Sequence, residues 1–153
     1  MLKNTRITVK YYYNQLGAHM ITYSEGYKYQ LEKDYTVVVD IIGETVDTDY
    51  IDLKTDGTLI IYDGYCWDGP SGPTIDTKDF MRGALVHDAL YQSMRMGKLD
   101  ANKYRKVADA TMRKLCLEDG MGWFRAWYTY HAVRLFGDKS AKPEGDYPIK
   151  TAP

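Results

Sequence analysis

The chain has 153 residues, with 20 basic and 21 acidic side chains, and this balance argues against a nucleic-acid-binding protein, which would carry a basic excess. The length and an apolar fraction of 44% suit one globular domain with a substantial core. No stretch reaches the ~20 apolar residues of a membrane span, and the N-terminus lacks the apolar run of a signal peptide. We therefore expect synthesis in the cytoplasm without a signal peptide.

The first 63 residues have the composition of β-structure, because runs of β-branched and aromatic residues alternate with turn residues. An Asp56-Gly57 pair between two apolar runs predicts a hairpin. The run from Tyr35 to Ile42 is the most apolar, and we predict that it forms a central strand. The predicted strands are residues 5–13, 18–23, 27–31, 35–42, 50–53 and 59–62.

The pattern changes at residue 64. Residues 64–77 contain two of the five prolines and several glycines, which predicts a loop without regular structure. Three helices follow, at 78 to about 96, 101 to about 118, and 123–136. Thr77 and Asp100 are the predicted N-caps, and glycines 97, 120 and 137 are the predicted stops.

Strands followed by helices predict an α+β domain, in which an antiparallel β-meander precedes a three-helix C-terminal half. The domain spans 1–137, divided into a β-rich part (1–63), a Gly/Pro loop (64–77) and a helical part (78–137). Residues 138–153 are polar and predict a C-terminal tail. Two cysteines are too few for a disulfide framework and favour free thiols. We assign Trp67, Trp123 and Trp127 to the core.

The first predicted helix carries a histidine and a carboxylate that point to two sides of one small pocket. His87 and Tyr91 lie on one stripe of this helix, and Asp88 lies about 100° round it. The surrounding residues are apolar, so the imidazole can act as a general base near neutral pH. A short connection favours antiparallel packing of the second helix. That packing brings Asp109 within reach of His87, where a carboxylate would fix the tautomer and stabilise the imidazolium.

Asp88 would then be available to a cation. Ca²⁺ takes about six to eight oxygen ligands, many of them backbone carbonyls, and a Gly/Pro-rich loop offers carbonyls outside regular structure. We name Asp88, Asp68, Trp67 and Gly69 as candidate calcium ligands. Such a cation would polarise a carbonyl while His87 deprotonates water.

Structural interpretations of the same residues remain open. A His-Asp pair on a helix commonly serves packing, and the loop can act as a rigid connection between sheet and helices. Asp109 can form a salt bridge with Arg105 or Arg113 along its own helix.

Residues 62–115 resemble secretory phospholipase A-two in the order of their motifs: a Gly-rich loop, then His-Asp-x-x-Tyr, then a later Asp. The KVAD sequence that contains this later Asp is similar to the bacterial members of that family. The resemblance implies that His87 is the general base, that Asp88 and the loop around Trp67–Gly69 bind Ca²⁺, and that Asp109 and Tyr91 support the histidine. The sequence departs from that family where flanking cysteines are replaced by Ala84 and Leu85, and where prolines enter the loop.

A longer match covers about residues 28–137. The runs WDGPSGPTIDT and MRGALVHDALY, a later AD…M and a final helix ending AVRLFG resemble an uncharacterised family found in phage and bacterial genomes. This resemblance implies a phage or prophage protein made in the host cytoplasm, and it implies no particular activity, because the family has no settled one.

Three functions are consistent with these features. The first is Ca²⁺-dependent hydrolysis of a lipid ester, with a lipid or membrane surface as partner. The second is a non-enzymatic virion or accessory protein that binds another chain, such as a phage structural protein. The third is a metal phosphohydrolase, which needs a further histidine upstream, for which His19 is the candidate.

Overall fold

The computed structural model describes the backbone of residues 23–24 and all of residues 29–69 and 77–142. The fold class is α+β, as predicted: the strands are antiparallel and precede the helices. The predicted strand at 5–13 and most of that at 18–23 lie outside the described residues. Within the described part of the chain, no helix is long and apolar enough to cross a bilayer.

Among the residues that the structure describes, seven short strands form two sheets. Their bounds are β1 (Tyr23–Ser24), β2 (Tyr29–Leu31), β3 (Tyr35–Val38), β4 (Val46–Asp47), β5 (Ile51–Leu53), β6 (Thr58–Ile61) and β7 (Cys66–Trp67). The larger sheet has the order β3-β6-β5-β4, and the smaller has the order β1-β2-β7. The strands therefore do not form one continuous meander, since β3 pairs with β6 across the β4–β5 segment.

The prediction of a central strand at Tyr35–Ile42 is wrong in both extent and position. The strand ends at Val38 and lies at the edge of the larger sheet. Val38 and Ile42 are exposed, whereas Val39 and Ile41 are buried outside the strand. The central positions belong to β5 and β6, whose predicted hairpin is confirmed. Gly57 takes a φ of 85° in the turn, and the Thr58 amide donates to the Asp56 carboxylate.

The Gly/Pro loop contains a short strand that its composition did not predict. Cys66–Trp67 forms β7 and pairs with Tyr29 and Gln30 of β2. The expectation that residues 64–77 contain no regular structure is therefore wrong for these two residues, because tertiary pairing outweighs the local turn preference. Residues 70–76 lie outside the described part of the chain.

The three predicted helices are confirmed as α1 (Lys78–Arg95), α2 (Ala101–Glu118) and α3 (Trp123–Phe136). Asp100 caps α2 by accepting from the Asn102 amide at 2.8 Å. Thr77 occupies the N-cap position of α1, but its side chain bonds Asp79 instead of the helix backbone. The predicted tail begins with a short helix, α4 (Asp138–Ala141), whose Ala141 is fully buried.

Helix α1 is the centre of the molecule. It packs chiefly against α2 and contributes to the main core together with residues of both sheets. The two helices approach closely because position 83 is glycine: a Cβ there would lie 2.6 Å from Cys116 Sγ and 2.9 Å from the Met112 carbonyl oxygen. This approach fixes the position of the α1 side chains relative to those of α2.

Only one of the three tryptophans lies in the core. Trp67 is 2% exposed, but Trp123 is 66% and Trp127 is 41% exposed, so the assignment of these two residues to the core is wrong. Helix α3 buries only Ala126 and Thr129. Its aromatic residues therefore face solvent, although the composition of the helix suggested packing. Both cysteines are free, as predicted, with Cys116 buried and Cys66 exposed.

Candidate active site

The histidine and the distant carboxylate predicted to meet are in contact. His87 Nε2 lies 2.7 Å from Asp109 Oδ1, and the Tyr91 hydroxyl donates to the same oxygen at 2.7 Å. Asp109 is completely buried, and the rings of His87 and Tyr91 lie against each other with centroids 4.0 Å apart. Packing of α1 on α2 thus unites three residues separated by up to 22 positions in sequence.

A cation from the third helix completes this network. Arg134 Nη1 donates to Asp109 Oδ2 at 2.8 Å, so the two carboxylate oxygens have different partners. Arg105 is one turn from Asp109 on α2, but its Nε donates to the Tyr91 hydroxyl at 3.2 Å instead. The alternative in which Asp109 pairs with Arg105 or Arg113 is therefore wrong, because α3 supplies the partner.

The hydrogen bond to Asp109 determines which nitrogen of His87 carries the proton. Burial by itself raises the pKa of Asp109, but the hydrogen bonds from His87, Arg134 and Tyr91 outweigh it and hold that pKa below its ordinary value. An ionised carboxylate only accepts hydrogen bonds, so His87 Nε2 is the protonated donor. In the neutral imidazole Nδ1 is then the basic atom. It lies 3.7 Å from Asp88 Oδ1, beyond direct hydrogen-bond distance.

The environment favours the protonated form of His87. Burial lowers the pKa of His87, but the neighbouring carboxylates of Asp109 and Asp88 outweigh it, so the pKa lies above its ordinary value. Nδ1 therefore becomes a free base only on the alkaline side of the ordinary histidine range. We expected the His87 imidazole to act as a base near neutral pH, and its raised pKa moves that activity to higher pH.

A cavity of about 420 Å³ opens beside Asp88. Strand β7 forms one wall and α1 the other. The lining residues are Tyr65, Cys66, Trp67, Asp68, Asp88, Gln92, Arg95 and Met96. Burial, and after it the Asp88 carboxylate, raises the pKa of Tyr65, so this phenol stays neutral on the cavity wall. His87 is 8% exposed and is not one of the lining residues, but its Nδ1 lies 3.7 Å from the carboxylate of Asp88, which is one of them.

The four candidate calcium ligands do not all face this cavity. Asp68, Asp88 and Trp67 line it, while Gly69 does not. Gly69 has a φ of 74° and packs against the Tyr29 ring, where a Cβ would lie 2.5 Å from a ring carbon. Trp67 belongs to the β2–β7 ladder and so differs from the open loop residue that we expected. His19, the candidate upstream histidine of a metal phosphohydrolase, lies outside the described residues.

The donor chemistry of the cavity fits a hard cation in part, because two carboxylates, Asp68 and Asp88, line it. Arg95 lines the same cavity and offsets part of the negative charge. Among residues 29–69 and 77–142, no three side chains of the His, Cys, Asp and Glu types are grouped to hold a metal ion. Any cation here would therefore depend on Asp68, Asp88 and backbone oxygens.

Sequence reasoning missed three residues of this site. Gln92 and Arg95 line the cavity at i+4 and i+7 from Asp88, so helical spacing was the available signal. Arg134 offered none, since its contact with Asp109 depends on how α3 packs on α2.

No protein-family model, curated protein or solved structure matches this chain. Fold and site together describe an α+β protein in which buried His87, Tyr91 and Asp109 and partly exposed Arg134 form a network, and in which Asp88, next to His87 in sequence, lines a cavity.

Proposed function

We propose that this protein hydrolyses a lipid ester, with His87 activating water and a cation at Asp88 assisting. We also propose that the protein derives from a phage, as the resemblance to the uncharacterised phage and bacterial family implies. It rests on one observation: Asp109 binds Nε2 of His87 at 2.7 Å, which leaves Nδ1 on the side of Asp88 and its cavity.

Each residue of the network has a distinct part in this reaction. His87 Nδ1 would accept a proton from a water molecule that attacks the ester carbonyl, and Asp109 would stabilise the resulting imidazolium. The Tyr91 hydroxyl and Arg134 share the charge of Asp109, which keeps it an acceptor throughout. Tyr91 also holds the imidazole ring in position by direct contact.

Asp88, Asp68 and nearby backbone oxygens would hold the cation, for which we propose Ca²⁺. When bound, it supplies Lewis-acid polarisation of the ester carbonyl. Without it, the Asp88 carboxylate, whose charge Arg95 offsets only in part, would repel the developing oxyanion.

The outer surface of α3 favours a lipid substrate over a soluble ester. Its large apolar residues project into solvent: Trp123, Phe124, Trp127, Tyr128, Leu135 and Phe136. No acidic residue occurs between 123 and 136. Amphipathic aromatic rings are stable at the level of lipid headgroups, and a surface without carboxylates is not repelled by anionic lipids.

The test measures fatty-acid release from phospholipid vesicles with Ca²⁺ and with a chelator. We expect release to require Ca²⁺ and to fall by about 10²–10⁴-fold in His87→Gln, the range of a lost general base. Asp88→Asn should lower release in the presence of Ca²⁺ to the level measured with the chelator. Asp47→Asn, at the exposed position of the edge strand β4, is the matched control and should retain wild-type activity. Equal release by wild type and His87→Gln would refute the proposal.

A second candidate is a non-enzymatic virion or accessory protein. The same α3 surface favours it, because exposed Trp, Tyr and Phe residues are typical of protein interfaces. A protein partner predicts that Trp127→Ser abolishes association with phage particles while His87→Gln leaves it intact. If the partner is a lipid instead, vesicles should shift the tryptophan emission of the wild type, and the shift should be smaller in Trp127→Ser.

A further inference from the structure

A second cavity, with a volume of about 630 Å³, lies between the turn after α1, the first turns of α2 and the junction of α3 with α4. It is distinct from the cavity beside Asp88 and shares no lining residue with it. Its charged lining residues are Lys98, Asp100, Arg105, Lys106, Arg134, Asp138 and Lys142. Five basic groups thus meet two acidic ones, in a chain whose net charge is −1.

The two carboxylates of this cavity already have partners. Asp100 caps α2 by accepting from the Asn102 amide, so that helix terminus is not open to another anion. Asp138 accepts from Arg105 Nη1 at 3.2 Å and also pairs with Lys142. These contacts account for two of the five basic residues.

The other three basic residues retain unused donors. Lys98 and Lys106 are exposed, and neither forms an ion pair within the described part of the chain. Arg134 uses Nη1 for Asp109, while its other guanidinium donors have no hydrogen-bond partner among residues 29–69 and 77–142. The cavity therefore gathers ammonium and guanidinium donors that no carboxylate satisfies.

We propose that this cavity binds the phosphate group of a phosphomonoester. A phosphate offers several acceptor oxygens and close to two negative charges, which suit two lysines and a guanidinium better than a single carboxylate does. The volume lies within the range of about 300–1,000 Å³ typical of small-molecule sites, so an organic group attached to the phosphate also fits. This site does not depend on the hydrolysis proposed above.

Isothermal titration of the full chain with inorganic phosphate and with glycerol 3-phosphate tests the site. We expect saturable binding that weakens with added NaCl, because salt screens exposed charges. Lys98→Ala combined with Lys106→Ala should weaken binding by at least about tenfold, since each removes a full charge from the cavity. Both lysines are exposed, so the variant should fold normally.

Lys114→Ala is the matched control. Lys114 lies on the same helix α2 and is exposed, but it does not line the cavity and pairs with Glu118. Its removal lowers the net charge by one unit, as each single substitution Lys98→Ala or Lys106→Ala does, and we expect phosphate affinity within about twofold of wild type, as for a distant screened charge. If Lys114→Ala weakened phosphate binding as much as Lys98→Ala or Lys106→Ala alone, the attraction would be non-specific and the proposal would be overturned.

Two sources of the phosphate group are distinguished by sedimentation with vesicles. Vesicles of phosphatidylcholine with phosphatidic acid present a terminal phosphate, and phosphatidylcholine alone does not. Binding to the first through Lys98 and Lys106 identifies a lipid headgroup, whereas binding of glycerol 3-phosphate without vesicle binding identifies a soluble ester. No binding of any phosphate probe overturns the site.

Discussion

The buried carboxylate Asp109 offers the sharpest test of the network, through the substitution Asp109→Asn. Asparagine has nearly the same shape but lacks the charge and presents an NH₂ group at one of the two oxygen positions. The carboxylate accepts three bonds of 2.7–2.8 Å, from His87, Tyr91 and Arg134. In the variant, an amide donor must face either the guanidinium of Arg134 or the His87–Tyr91 pair.

The expected loss follows from these contacts. A hydrogen bond to a charged group contributes about 1.5–3 kcal/mol to stability. The asparagine oxygen keeps the contacts to two partners in weakened form, and Arg134 is 31% exposed, so its contribution is reduced by solvent. We therefore expect Asp109→Asn to lower the free energy of unfolding by about 2–4 kcal/mol, below the about 3–5 kcal/mol of a fully broken buried ion pair.

Urea denaturation followed by circular dichroism measures this loss as a lower midpoint with an unchanged slope. Asp100→Asn at the start of the same helix is the matched control. Asparagine caps helices about as well as aspartate, so that variant should lie within about 0.5 kcal/mol of wild type. A loss below about 1 kcal/mol for Asp109→Asn would mean that the three contacts do not form as described.

Three further predictions concern the helix pair and its histidine. Gly83→Ala should destabilise the protein by about 1–3 kcal/mol in urea denaturation, because its Cβ would meet the α2 backbone. Gly122→Ala meets nothing within 4 Å, so it should lose only the preference for glycine over alanine at the N-cap of α3 and should cost less than Gly83→Ala. Tyr91→Phe should cost about 1–2 kcal/mol in the same assay, since it removes a buried donor to Asp109; an unchanged midpoint would contradict the contact. The pKa of His87 is raised in the folded state, so its stabilisation is fully present below about pH 6.5 and is lost as pH rises through the folded pKa. The stability difference between wild type and His87→Gln, measured by urea midpoints from about pH 5.5 to 9, should shrink with rising pH, and a difference that grows would refute the sign.

The site residues differ in how far the sequence could predict them. His87, Asp88 and Tyr91 lie on one helix, whose 3.6-residue period relates their directions without any knowledge of the fold. To predict Asp109 as a site residue, it was enough to assume that the short turn after α1 packs α2 antiparallel to it. Arg134 and the strand nature of Cys66–Trp67 required knowledge of long-range contacts that leave no periodic signal.

The sequence by itself determined the helices and the fold class, because caps, glycine stops and apolar spacing act within a few residues. As predicted, α1 ends just before Gly97, and α2 begins after its N-cap Asp100. Tertiary structure alone decided that Trp123 and Trp127 face solvent and that Tyr35–Val38 lies at a sheet edge. Burial depends on which surfaces meet, and an apolar side chain has the same local preferences whether a neighbour covers it or water does.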